Sequence, residues 1–147
     1  MTRRRARDER GSAVLEFALV FPLVVLSVLG VVQYGYHFWA LETGAATARE
    51  AARRLVVGTD PVCTVAEAVE RLDVPHVLAA DPTVVVEYGD PPSASTPPER
   101  GLLVTVTVTL RSLDMGLFPV PGDGLVVERA QNRVENVPID PLACENP

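Results

Sequence analysis

The chain has 147 residues, 48% of them hydrophobic, and a net charge of −6 from 13 basic and 19 acidic side chains. An acidic body repels nucleic-acid phosphate. Two cysteines with the two distant histidines, His37 and His76, do not make a metal-ligand quartet, so no metal, cofactor or nucleic-acid partner is expected.

Met1 to Arg10 holds five arginines against Asp8 and Glu9, a side-chain charge of +3, and the rest of the chain holds eight against seventeen acids, or −9. This leader has no apolar pattern and is expected to be disordered. Its RRRAR run is basic enough for a nucleic-acid patch, but it directly precedes a long apolar span. Arginines placed there hold that end in the cytoplasm by the positive-inside rule.

Gly11 to Val32 is the stretch around which the chain is organised. From Ser12 on it is apolar except for Glu16, and Ala13 to Val32 matches the roughly 20 helical residues that cross a hydrocarbon core. Pro22 lies inside it and predicts a kink, which bilayer helices tolerate. An acid within such a span is costly and marks a functional residue.

Tyr34, Tyr36, His37, Phe38 and Trp39 follow as an aromatic cluster of the kind found at a membrane–water interface. Leu41, Ala45, Ala48, Ala52 and Leu55 then recur at helical spacing. Glu50 precedes Arg53 and Arg54 at ion-pair spacing, and Gly58 and Pro61 supply a helix stop. One helix from about Ser12 to Val57, roughly 70 Å long, is predicted.

Thr64 and Glu67 fit a capping box for a short helix ending near Pro75. Thr83 to Tyr88 alternates as a half-buried strand, with Val84, Val86 and Tyr88 on one side. Gly89 to Gly101 is a Pro/Ser loop expected to be mobile. In Leu102 to Leu110, the clearest strand, Val104, Val106, Val108 and Leu110 point one way. Thr105, Thr107 and Thr109 form the opposite, solvated row. A third strand is predicted over about Leu125 to Glu135, and the tail to Pro147 has no pattern.

Cys63 and Cys144 both fall beyond the apolar span, where a disulfide can persist in an oxidising space. Two free thiols are the alternative, and the sequence leaves both open. His37 and His76 have no serine or cysteine at motif spacing and read as interfacial or surface residues. No catalytic residue is assigned. Ala45-Ala46-Thr47-Ala48 resembles a signal-peptidase site, but the long span and the helix after it favour anchoring.

The run Arg10-Gly11-Ser12-Ala13-Val14-Leu15-Glu16-Phe17 resembles the type IV prepilin cleavage motif. With it, GSAVLEFALVFPLVVLSVLGVVQYGYHF, AATAREAARRLVVG and, more loosely, VTVTVTL and LVVERAQNRVE resemble the TadE-like pseudopilins of tight-adherence (Flp-type) pilus systems. Phe17 stands where many relatives carry tyrosine. The resemblance implies that a prepilin peptidase cuts between Gly11 and Ser12, where a residue without a Cβ permits close approach of the protease. Glu16 then becomes the fifth residue of the mature chain. A buried carboxylate needs a cation or a proton, and the new Ser12 amine, its own or a neighbour's, is the partner implied for Glu16 during filament assembly.

The expected fold is α+β: a long N-terminal helix, half in the membrane and half exported, with a small antiparallel three-stranded sheet packed on the exported half. The expected divisions are a cytoplasmic leader (1–11), the membrane and pilin-like helix (12–58) and an extracytoplasmic domain (59–147). The expected function is that of a minor pilin-like subunit in a single-pass plasma-membrane orientation, not an enzyme. Its implied partners are the peptidase, other pilin-like subunits, the inner-membrane assembly platform and membrane lipid. Two alternatives compete: an uncleaved anchor presenting a small binding domain, and a small exported enzyme behind a cleaved signal peptide.

Overall fold

Residues Arg5–Val56 form one uninterrupted helix, α1, 52 residues long and therefore about 78 Å from end to end. The computed structural model describes residues 5–72, 82–137 and 144, with side chains from Gly11 onward. Because α1 starts at Arg5, the second half of the leader is helical rather than disordered. Arginine, alanine and glutamate there are good helix formers, and extending a helix already nucleated is cheap. Pro22 lies inside α1 without ending it.

At its other end α1 closes as a Schellman motif. Gly58 N–H donates to the Leu55 carbonyl at 3.3 Å and Thr59 N–H to that of Arg54 at 3.1 Å, with Gly58 at φ 94°. Only glycine takes that left-handed conformation without strain. The Val56 carbonyl accepts from the Glu135 and Asn136 amides at 3.1 and 3.0 Å, so the chain leaving the sheet completes this helix end.

Helix α2 spans Pro61–Leu72 and begins three residues before the proposed capping box. Asp60 is its N-cap: the Asp60 carboxylate accepts from the Val62 and Cys63 amides at 2.8 and 3.2 Å. Proline at the first helical position costs nothing, since its missing N–H would be an orphan there. Thr64 lies inside the helix, where its hydroxyl donates back to the Asp60 carbonyl at 2.9 Å. Glu67 turns to Arg54 of α1 instead.

Strands β1 (Thr83–Tyr88), β2 (Leu103–Arg111) and β3 (Leu125–Arg133) form an antiparallel sheet in the order β1-β2-β3. Val106 sits opposite Val86 on one side and Ala130 on the other. The alternation in β2 places Val104, Val106 and Val108 fully out of solvent, each with no exposed surface. A buried valine of this kind is worth roughly 1.5–3 kcal/mol. The threonine row is not wholly solvated: Thr105 is buried beneath Gln131, whose amide donates to its hydroxyl at 3.1 Å.

The core lies where this sheet and α2 meet the C-terminal half of α1. Ala48, Ala51, Ala52 and Leu55 join Ala68 and Leu72 of α2 and the inward residues of the strands. Gly44 sets the spacing, because a Cβ there would lie 2.9 Å from Leu110 Cδ2. After β1 the chain turns back on itself, with the Tyr88 and Ser93 backbones exchanging two hydrogen bonds of 3.0 Å. Cys63 and Cys144 are joined in a disulfide with Cα atoms 5.3 Å apart, which ties Cys144 to α2. His76 lies outside the described residues.

Candidate functional site

The two halves of α1 face different surroundings. From Gly11 to Leu26 the helix meets almost nothing: Leu15 is 74% exposed and Leu19 73%, and Phe17 stacks only on Phe21, one turn on, with ring centroids 5.3 Å apart. Among the described residues this is the one helix long and apolar enough to cross a membrane. So much contiguous apolar surface needs lipid or protein to cover it. Gly11, Ser12 and Glu16 all lie exposed on this half, in helical backbone, and a side chain on Gly11 would meet open space.

Between the halves, the segment from Ser112 to Gly124 clasps the helix. At Gly30, in the apolar span, the Phe118 ring packs so closely that a Cβ would lie 3.0 Å from it. One turn on, Gln33 is completely buried and its amide donates to the Phe118 carbonyl at 2.8 Å. Gln33 Oε1 has no partner among the described residues. The Tyr34 hydroxyl donates to the Pro119 carbonyl at 2.8 Å.

A turn further, His37 is buried rather than interfacial. Its Nδ1 lies 3.0 Å from Ser112 Oγ. Ser112 Oγ also lies 3.2 Å from the Gly124 carbonyl, and the imidazole tautomer sets which of His37 and Ser112 donates. The pair locks both ends of the clasp, since the Ser112 amide also donates to Gly124 at 2.8 Å. An open groove beside it runs between Tyr34, Phe38 and Leu41 of α1 and Leu125 and Val127 of β3.

At the far end of α1, Glu50 accepts from Arg54 at 3.0 Å and from Arg53 at 3.2 Å, as the spacing predicts. The hydrogen bond from Arg54, then that from Arg53, holds the Glu50 carboxyl below the usual carboxylate range. Arg54 also reaches Glu67, pinning α2, and its own guanidinium pKa is raised, chiefly by Glu50. Asp60, Cys63 and Cys144 place ligand-type atoms together. Both sulfurs are committed to the disulfide and the carboxylate to the α2 cap, so the trio is not a metal site.

A family model described as TadE-like protein matches residues 11–53. Over this stretch the chain is similar to the TadE-like family. The TadE-like segment starts at the exposed Gly11 and ends one residue before Arg54. It therefore takes in the unburied apolar half, the clasped turns and most of the helix beneath the sheet. No curated protein and no solved structure matches the chain.

Of the residues singled out by sequence, Gly11, Ser12 and Glu16 come together on the TadE-like segment. Cys63 and Cys144 meet at the opposite end of the molecule. Gln33, Ser112, Phe118 and Asp60 were passed over. Gln33 carried a usable signal as a lone amide directly after the apolar run, and Asp60-Pro61 is a helix-start pair. Ser112 and Phe118 carried none.

Proposed function

We propose that this chain is a pilin-like subunit of a tight-adherence pilus or related secretion system, with α1 as its membrane and assembly element. The observation that carries this reading is one coincidence. The TadE-like match begins at Gly11, at the head of the apolar stretch of α1 on which Gly11, Ser12 and Glu16 lie exposed. In this reading residues 1–11 are a cytoplasmic leader, 12–58 the membrane and assembly helix and 59–147 an exported domain. A prepilin peptidase cuts after Gly11. Glu16 then pairs with a Ser12 amine as subunits meet other pilin-like proteins at the assembly platform. The chain acts as a structural component and has no catalytic role of its own.

One observation favours the rival reading, an uncleaved anchor with a small binding domain. The Gly11–Ser12 bond lies inside a helix that continues back to Arg5, and proteases bind extended backbone. On the proposed reading the leader unwinds at Gly11, the weakest helix former nearby.

Intact mass of the protein recovered from its host membranes decides between them. A mature chain starting at Ser12 supports the pilin reading, and an unprocessed chain in a host with active peptidase supports the anchor. Glu16→Gln keeps shape and removes charge. It should leave membrane insertion intact and lower both co-purification with other pilin-like subunits and pilus output. Unchanged output from that variant removes the assigned role of Glu16.

A further inference from the structure

The clasp reaches down α1 to a level that the anchoring role of the helix does not require. Counted from Gly11, Gly30 lies about 30 Å along the helix, which is the thickness of a hydrocarbon core. The Phe118 ring rests on Gly30, and Leu117 beside it is 44% exposed. If α1 spans from Gly11, the tip of this loop stands at the far edge of the apolar layer, below Tyr34, Tyr36 and Trp39.

Irregular backbone is tolerated at that depth only when its polar groups are satisfied within the protein. The carbonyls nearest α1 meet this condition, whereas the Met115, Leu117 and Phe118 amides at the tip have no partner among the described residues and lie where headgroups and water can serve them. The Phe118 carbonyl accepts from Gln33, the Pro119 carbonyl from Tyr34 and the Val120 carbonyl from the Asp123 amide at 3.2 Å. Pro119 and Pro121 have no N–H to satisfy, and the Gly116 amide donates to Asp114 at 2.8 Å. The large apolar side chains left outward are Leu117 and parts of Met115 and Phe118, beside the exposed Gly116 and Pro119. Gln33 Nε2 also reaches Asp114 Oδ1 at 3.5 Å, which ties both ends of the tip to α1.

We propose that Met115–Phe118 is a second membrane contact, a wedge that enters the acyl–headgroup boundary of the bilayer beside α1. It fixes the rotation of the exported domain about the helix axis and presses that domain's membrane-proximal end onto the lipid. The contact is apolar, not electrostatic: residues 112 to 124 include no basic side chain, and Asp114 and Asp123 are both exposed, which places them in the headgroup layer. The inference rests on α1 crossing the membrane.

The test uses the full chain with Trp39→Phe as background, reconstituted in zwitterionic phosphatidylcholine vesicles with or without bromine on the acyl chains. Leu117→Trp places an indole at the tip, and Ser95→Trp places one in the loop after β1, at the opposite end of the sheet. The Leu117→Trp indole should emit to the blue of the Ser95→Trp indole and lose emission when the lipid is brominated, while Ser95→Trp is unaffected. Flotation of the same vesicles is scored in parallel. Flotation without quenching at position 117 overturns the wedge and leaves the anchor standing, whereas failure to float overturns both. A blue emission that appears only at high protein-to-lipid ratio, unquenched by bromine, means that a second protein copy covers the loop, and it also overturns the wedge.

Discussion

The two halves of α1 are one continuous helix built for two different surroundings. The half from Gly11 to Leu29 uses large apolar residues, leucine, valine and phenylalanine, and leaves them outward. The half from Ala40 to Leu55 buries small ones: Ala40, Gly44, Ala48, Ala51 and Ala52. A lipid-facing helix gains by presenting bulk, since acyl chains adapt to its shape. A helix under a sheet must let the strands approach, and each extra methylene there meets an atom already in place. Side-chain size as well as charge distinguishes the two halves, since Glu42, Arg49, Glu50, Arg53 and Arg54 all lie in the second.

The domain packed on the C-terminal half of α1 stands on a small core, so the disulfide should be its largest single support. Closing a loop with a sequence separation of 81 is worth about 4 kcal/mol on the chain-entropy model. Cys63→Ser should lower the unfolding free energy, extrapolated from urea titration of the near-ultraviolet signal, by about that amount and leave the membrane association of α1 unchanged. Equal midpoints for the oxidised and reduced protein would show that the bridge contributes nothing.

Overpacking sharpens the contrast further. Gly44→Leu forces a branched side chain against Leu110 and Glu128 and should cost the domain about 1–3 kcal/mol. Leu23→Ala changes side-chain volume by nearly as much but at an exposed position, and it should leave domain unfolding untouched. If both variants unfold alike, the two halves are not energetically distinct.

The smallest effect is titration of Tyr88 in the core. Burial pushes its hydroxyl up to about 12, and the Asp60 carboxylate adds to the shift. The native state therefore holds the neutral phenol. The stability this confers is fully present below the ordinary tyrosine range near pH ~10 and is lost as the pH rises toward 12. An absorbance titration should show one of the three tyrosines ionising late, and Tyr88→Phe should abolish that phase. A late phase that survives in Tyr88→Phe assigns it to Tyr34 or Tyr36.

Much of the fold was legible because its signals are local. The apolar run and the alanine spacing predicted α1 to within a few residues at its C-terminus, and Gly58 marked its stop. Strict alternation in Val104–Leu110 identified both the strand and its buried face. The start of α2 was misplaced because two helix-start patterns overlap there. Asp60 followed by Pro61 outcompetes Thr64 and Glu67, since Glu67 has a better partner in Arg54 across the helix pair. The extended helical leader was missed because its composition is polar, and polarity alone does not oppose a helix that is already running.

By itself the sequence determined the long helix, the apolar half that the rest of the protein leaves uncovered, the three strands and the position of Gly11, Ser12 and Glu16 at the head of the TadE-like segment. Each of these rests on the spacing of neighbours along the chain. Only the tertiary structure decided that Ser112–Gly124 closes on Gly30, Gln33, Tyr34 and His37, that His37 is buried, and that Cys144 returns to Cys63. These contacts join residues about 80 positions apart. A Pro/Gly-punctuated segment has no periodicity to say which turn of a helix it will meet. That choice falls to the depth of the sheet on α1, set by Gly44, and to the few donors on the helix that can satisfy the loop's carbonyls.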